Sequence, residues 1–121
     1  MKAFIKDFDC ADIDDLFSYV PADPNNFGFW MNFTIGQQGE VGADNFQMLI
    51  ATPNYMRQQH PFQNAVLPRN VLLVFEYDFN QILNTVDDYV KSLNEDSWEK
   101  LAEKLSRIAH WEFEDYKPYQ A

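Results

Sequence analysis

Between Phe27 and Ile35 the chain alternates without interruption. Phe27, Phe29, Met31, Phe33 and Ile35 are apolar, and Gly28, Trp30, Asn32 and Thr34 stand between them. A side-chain period of two over nine residues is the signature of a strand with one face buried. Gly36-Gln37-Gln38-Gly39-Glu40-Val41-Gly42 follows, with glycines free to take positive φ. Phe46, Met48 and Ile50 then alternate again. The pattern predicts an antiparallel β-hairpin, and whatever else the chain does must be arranged around it.

With 46% hydrophobic and 17% aromatic residues, a core large enough to cover that hairpin is available and wholesale disorder is excluded. The length of 121 residues fits one domain spanning 1–121, and no repeat or long Pro/Gly/Ser linker divides it. Ala3 to Phe8 reads as a first strand, and Ala22-Asp23-Pro24-Asn25-Asn26 as a turn. Thr52-Pro53 is a helix start, a capping hydroxyl before a first-turn proline, and Pro61 limits that helix to about Gln59. Val71 to Tyr77 reads as a strand buried on both faces.

Two helices are predicted to follow. Asp78 caps the first, whose Phe79, Ile82, Leu83, Val86, Tyr89, Val90 and Leu93 lie on one face. Asp96 caps the second in a capping box with Glu99, and Trp98, Leu101, Ala102, Leu105 and Ile108 form its buried stripe. His110 is expected at its C-terminal end, where the helix dipole favours a cation. Strands first and helices last give an α+β fold, an antiparallel sheet built around the hairpin with the two C-terminal helices packed on one face.

Charge narrows the function. Nineteen Asp and Glu against nine Lys and Arg give a net charge of -10 and a pI near 4.3. Phosphate neutralisation needs the opposite sign, so direct nucleic-acid binding is not expected, and anionic membrane surfaces are disfavoured too. The acids fall in two blocks, 1–50 and 76–121, flanking a stretch in which Arg57 and Arg69 meet no acid. No apolar run approaches the ~20 residues of a membrane span. The first residues do not read as a secretory signal, and the lone Cys10 forms no internal disulfide. The expectation is a cytoplasmic protein whose macromolecular partner is basic.

Catalytic motifs are missing from the sequence: no phosphate-binding loop, no dinucleotide fingerprint and no nucleophile elbow. His60 and His110 have no metal-ligand spacing around them, so no metal, cofactor or catalytic residue is assigned. Cys10 sits among acids and is assigned no reactive role. The densest local feature is His110-Trp111-Glu112-Phe113-Glu114-Asp115-Tyr116. Read as an extended segment, it lets Trp111 and Phe113 plug the core while the acids face water. Glu112, Glu114, Asp115 and Tyr116 are then candidate contacts for a basic partner, with Asp87 and Asp88 second. Trp30 is a candidate interface anchor if its ring is exposed, although covering by another layer is the commoner fate of a single Trp.

Several blocks of this chain resemble the Immunity protein 8 family of bacterial polymorphic toxin systems. They are Asp23-Pro24-Asn25-Asn26-Phe27-Gly28-Phe29, the Gly36-to-Gly42 turn, Thr52-Pro53, Glu76-Tyr77-Asp78, Asp96-Ser97-Trp98-Glu99, and the run from Leu105 to Tyr116. The last is the most specific. One departure is Ala109, where such sequences often carry glycine. The resemblance implies an α+β domain, encoded beside a toxin, that neutralises that toxin; it assigns no binding or catalytic residue.

The expected function is therefore an immunity protein that binds a cognate toxin domain and occludes it sterically and electrostatically, without catalysis. A basic toxin such as a nuclease suits the charge. Two rival readings stand beside it. One is a small ligand-binding or enzymatic α+β domain using His60 or His110. The other is an acidic mimic of nucleic acid that sequesters a basic host protein.

Overall fold

The computed structural model describes residues 1–114. Three strands open the chain: β1 (Ala3–Asp9), β2 (Gly28–Gln37) and β3 (Asp44–Ala51). The helix α1 (Pro53–Gln59) and the short strand β4 (Val71–Leu73) come next. Helices α2 (Phe79–Ser92) and α3 (Trp98–Leu105) follow, and β5 (His110–Trp111) closes the described chain.

The hairpin forms as its periodicity dictates. β2 and β3 pair antiparallel with Phe29 opposite Ile50, Met31 opposite Met48 and Phe33 opposite Phe46. These side chains are all buried on one face, where Phe79, Ile82, Val86 and Val90 of α2 and Leu101, Ala102 and Leu105 of α3 cover them. Gly39 and Gly42 take φ of 83° and 101°, conformations that a side chain would strain. Lys6 ties the turn down by donating to the carbonyls of Glu40 and, at 2.8 Å, Gly42.

β1 pairs antiparallel with β2, with a register shift between Ile5 and Asp7 that marks a bulge. The order across the sheet is β1-β2-β3-β4, and β5 pairs with β3 on the same side as β4. The α+β arrangement is the predicted one, but the sheet is mixed, because β4 runs parallel to β3. The chain leaves β3 through α1 and the segment 60–70, long enough to bring it back in the same direction.

Local signals fixed most boundaries. Thr52 accepts from the Tyr55 N–H at 3.2 Å, as a cap should, and its buried hydroxyl also accepts from the Phe27 N–H at 3.1 Å. Asp78 caps α2 through the Gln81 N–H at 3.3 Å. For α3 the cap is Ser97 rather than Asp96: the Ser97 hydroxyl accepts from Lys100 at 3.2 Å, while Asp96 stays exposed.

Three other expectations are corrected. Val71 to Tyr77 is not a doubly buried strand: it is regular over Val71–Leu73 alone, lies at an edge, and leaves Leu73 and Phe75 exposed. His110 is not a helix C-terminal residue, since α3 ends at Leu105 and His110 pairs with Gln47 in the sheet. Phe113 does not plug the core; it is 42% exposed and meets Trp111 edge-on. Trp111 is half-buried, stacked on Phe46, and its indole N–H reaches Asp44 at 3.0 Å. Trp98 donates to the same Asp44 oxygen at 2.7 Å, so one carboxylate joins β3, α3 and β5.

Candidate functional site

Among the described residues, no helical layer covers most of the second face of the sheet. α1 covers it only at the β2 start, where the Tyr55 ring lies so close to Gly28 that a Cβ there would sit 2.4 Å from it. Beyond that point the alternation of β2 presents Trp30, Asn32 and Thr34. Trp30 is 42% exposed, so the covered alternative for this ring does not hold. Pairing places His110 opposite Gln47 and Trp111 opposite Phe46, which sends His110 to the Trp30 face and Trp111 to the core. The His110 ring lies 6.0 Å from that of Trp30.

His110 is held from behind by Asn70, whose side-chain Nδ2 is 2.8 Å from His110 Nδ1. Which of the two nitrogens donates follows the imidazole tautomer. Asn70 is buried, has φ of 60°, and its Oδ1 finds no partner among the described residues. Asparagine is one of the few residues that adopts this backbone state at low cost.

The acids singled out in the sequence are separated by the fold. Glu112 is exposed beside this face, and its carboxylate accepts the Asn45 N–H at 2.8 Å. Glu114 is half-buried and ion-paired with Arg69. Asp115 and Tyr116 lie outside the described residues. Asp87 and Asp88 sit on α2, in the layer that covers the opposite face of the sheet. Asp87 bonds Lys91 at 2.6 Å, and that carboxylate, aided by Asp88, raises the Lys91 pKa above its ordinary value. Asp88 is exposed and makes no ion pair among the described residues. Trp30 and Glu112 thus belong to one side of the sheet and Asp87 and Asp88 to the layer over the other, while Glu114 is drawn to Arg69.

A third region, the flanks of β4, carries no motif that marks it in the sequence. A cleft of about 390 Å³ opens between β4 and α2, lined by Leu72, Thr85, Tyr89 and Ile108 with Arg69 and Arg107. On the other face a groove of about 370 Å³ separates β4 from α1, lined by Met56, Val66 and Leu73 with Arg57 and His60. No carboxylate lines that groove, so His60 has no acid partner there for proton transfer. Phe62 and Leu67, in the segment between α1 and β4, are almost fully exposed. The available clue was an apolar run that follows a proline-bracketed loop, because that loop has no regular apolar stripe to cover it.

Among the described residues, no group of three or more His, Cys, Asp or Glu is placed to hold a metal ion, and no helix is long and apolar enough to cross a membrane. Cys10 is buried. The geometry presents surfaces: an exposed Trp30 beside His110, an acidic helix flank and an apolar sheet edge. No curated protein and no solved structure matches the chain. The pattern that defines Immunity protein 8 does match, across residues 3–116, and the chain belongs to that family.

Proposed function

We propose that this protein works in the bacterial cytoplasm as the dedicated inhibitor of one toxin domain, binding it stoichiometrically and covering its active site without chemistry of its own. The observation that carries this reading is the family match over nearly the whole chain, 3–116. Immunity proteins neutralise toxins, and a net charge of -10 suits a basic target such as a nuclease. A standard interface takes ~800 Å² from each partner and needs no pocket.

Trp30, with its exposed indole, is the proposed anchor, and Glu112, Glu114, Asp115 and Tyr116 are the proposed acidic and aromatic contacts. Asp87 and Asp88 on α2 form a second set. Glu112 keeps one oxygen clear of its bond to Asn45, whereas Glu114 must exchange Arg69 for a toxin cation. Glu112 is therefore the stronger contact of the two.

Co-expression with the toxin encoded by the adjacent gene tests the reading. Cells making both should survive, and death at the rate of cells lacking this protein would end it. The contacts are tested separately by stopped-flow association at several salt concentrations. Glu112→Lys with Asp115→Lys should slow association by about tenfold or more and flatten its salt dependence. An unchanged rate and slope would remove these residues from the interface.

A further inference from the structure

Two acids of β1 share the uncovered sheet face with Trp30. β1 pairs Asp9 with Asn32 and Asp7 with Thr34, and opposed residues of an antiparallel pair stand on the same face. The Asn32 side-chain amide donates to Asp9 Oδ1 at 3.0 Å, and the Phe8 N–H to Asp7 Oδ1 at 2.8 Å. Glu112 lies beside the same face, accepting from Asn45. Each carboxylate is therefore held by a neutral donor, and no ion pair among the described residues includes any of the three. Cations stand only at the rims. Lys6 is bound by the Glu40 and Gly42 carbonyls at the turn, and Arg57 donates to the Gln63 carbonyl at the α1 end. The strand positions between them hold Asn32, Thr34, Asn45 and Gln47.

We infer that this face seats an arginine of the toxin, stacked on Trp30 and paired with Asp9, while Asp7 and Glu112 draw further cations of the same surface. The inference rests on the inhibitor reading above and adds to it the chemistry of the docking element and two contact residues, Asp7 and Asp9. Its geometry follows from the register. Asp9 lies opposite Asn32 and hence diagonal to Trp30, a cross-strand relation that spans about 7–8 Å. His110 flanks the Trp30 ring on the β5 side. A guanidinium laid on the ring from the β1 side can then reach the Asp9 carboxylate with its N–H groups. The planar fork of arginine suits a stacked ring and a carboxylate together, whereas the lysine ammonium makes a point contact. A second copy fits worse, because a two-fold contact through this face sets Asp7, Asp9 and Glu112 against their own duplicates.

Calorimetric titration of the full chain with the purified toxin domain encoded beside it tests the inference. Asp9→Asn keeps the acceptor for Asn32 and removes the charge, and Trp30→Ala removes the ring. Each should weaken binding by about tenfold or more. Because both act on one guanidinium, the double variant should lose clearly less than the product of the single losses. An alanine scan of the toxin's exposed arginines should find one whose replacement makes Asp9→Asn nearly neutral. If the toxin binds both single variants as tightly as the unaltered chain, the arginine seat is wrong and the inhibitor reading stands. Losses that simply multiply would reduce Asp9 to long-range attraction and overturn the seat as well. If the toxin does not bind the unaltered chain, both fall. Dimers of the free chain in sedimentation, broken by Trp30→Ala, would assign the face to a second copy and overturn the inference.

Discussion

The two edges of this sheet are finished in opposite ways. β1 is seven residues long and interrupted by a bulge, with the exposed acids Asp7 and Asp9 along it. Its start is tied to the turn after α2: Lys2 donates to the Lys91 carbonyl at 2.7 Å, the terminal amine to Asn94 at 2.9 Å, and Glu95 N–H to the Met1 carbonyl at 3.1 Å. Bulges and charges are the standard means of keeping another strand from adding. β4 has three residues, none charged, and exposed Leu73 and Phe75 at or beyond its end. The difference teaches that this chain is able to guard an edge and leaves one unguarded, at an aggregation risk that shortness alone limits.

The comparison breaks if the two edges share one fate, and Asn70 is the place to ask. It sets the entry to β4 with φ of 60°, accepts the Leu49 N–H through its carbonyl, and bonds His110 with its side chain. Asn70→Ala loses the side-chain bond and the residue type that tolerates this backbone state. A cost of about 1–3 kcal/mol is expected in urea unfolding. Native-state exchange should rise at Leu72 and Val74 and stay constant in β1. Equal loosening of β1 would mean the sheet opens as a unit and the edges are not independent.

A smaller effect sharpens the same contrast at the exit from β4. Tyr77 donates its hydroxyl to the Leu16 carbonyl and packs against Tyr19, Phe27 and Phe29. Burial, with lesser help from Tyr19, Cys10 and Asp15, pushes its pKa from the ordinary 10 up to about 12. A raised folded-state pKa means the neutral phenol stabilises the fold fully below pH 10, and that share is lost as pH climbs through about 12. Tyr77→Phe should cost about 0.5–1.5 kcal/mol at neutral pH and reduce the fall in stability between pH 10 and 12. An identical alkaline fall in both proteins would place the phenol outside the folding linkage.

The contrast also separates what the residues declared from what they hid. The β2–β3 hairpin, α2 and the Thr52 and Asp78 caps were legible because period, turn glycines and capping side chains act within a few residues of one another. The end of α3 was not: Trp98, Leu101, Leu105 and Ile108 continue the helical period, but Ser106 to Ala109 form turns and His110 joins β3. That pairing depends on Asn45 and Gln47, more than sixty residues away, which no local pattern encodes. β4 failed for a related reason. Val71 to Phe75 is as apolar as a buried strand, and only the arrangement of α1 and the loop after it reveals that Leu73 and Phe75 stay uncovered among the described residues. Of the candidate site residues, exposure at Trp30 was an open question in the sequence, and the capture of Glu114 by Arg69 is invisible there because the two lie 45 positions apart. Asp87 was the easiest to place, since an acid four residues before a lysine on a helix pairs with it by geometry alone.

That pair yields the smallest expected effect and the one that best distinguishes structure from function near β1. Asp87 bonds Lys91, whose carbonyl in turn receives Lys2 from β1. The Lys91 side chain is exposed, so solvent and salt screen the pair and it contributes little. Asp87→Ala should therefore leave the urea-unfolding midpoint close to that of the unaltered protein, with the difference vanishing in about 1 M salt. A clear drop in the midpoint that persists in salt would mean that Asp87 helps to close the β1 edge through Lys91 and Lys2, making it a structural residue. A small loss combined with slower toxin association would leave this carboxylate nearly idle in the fold and active in recognition. In that outcome the guarded side of the sheet contributes long-range attraction.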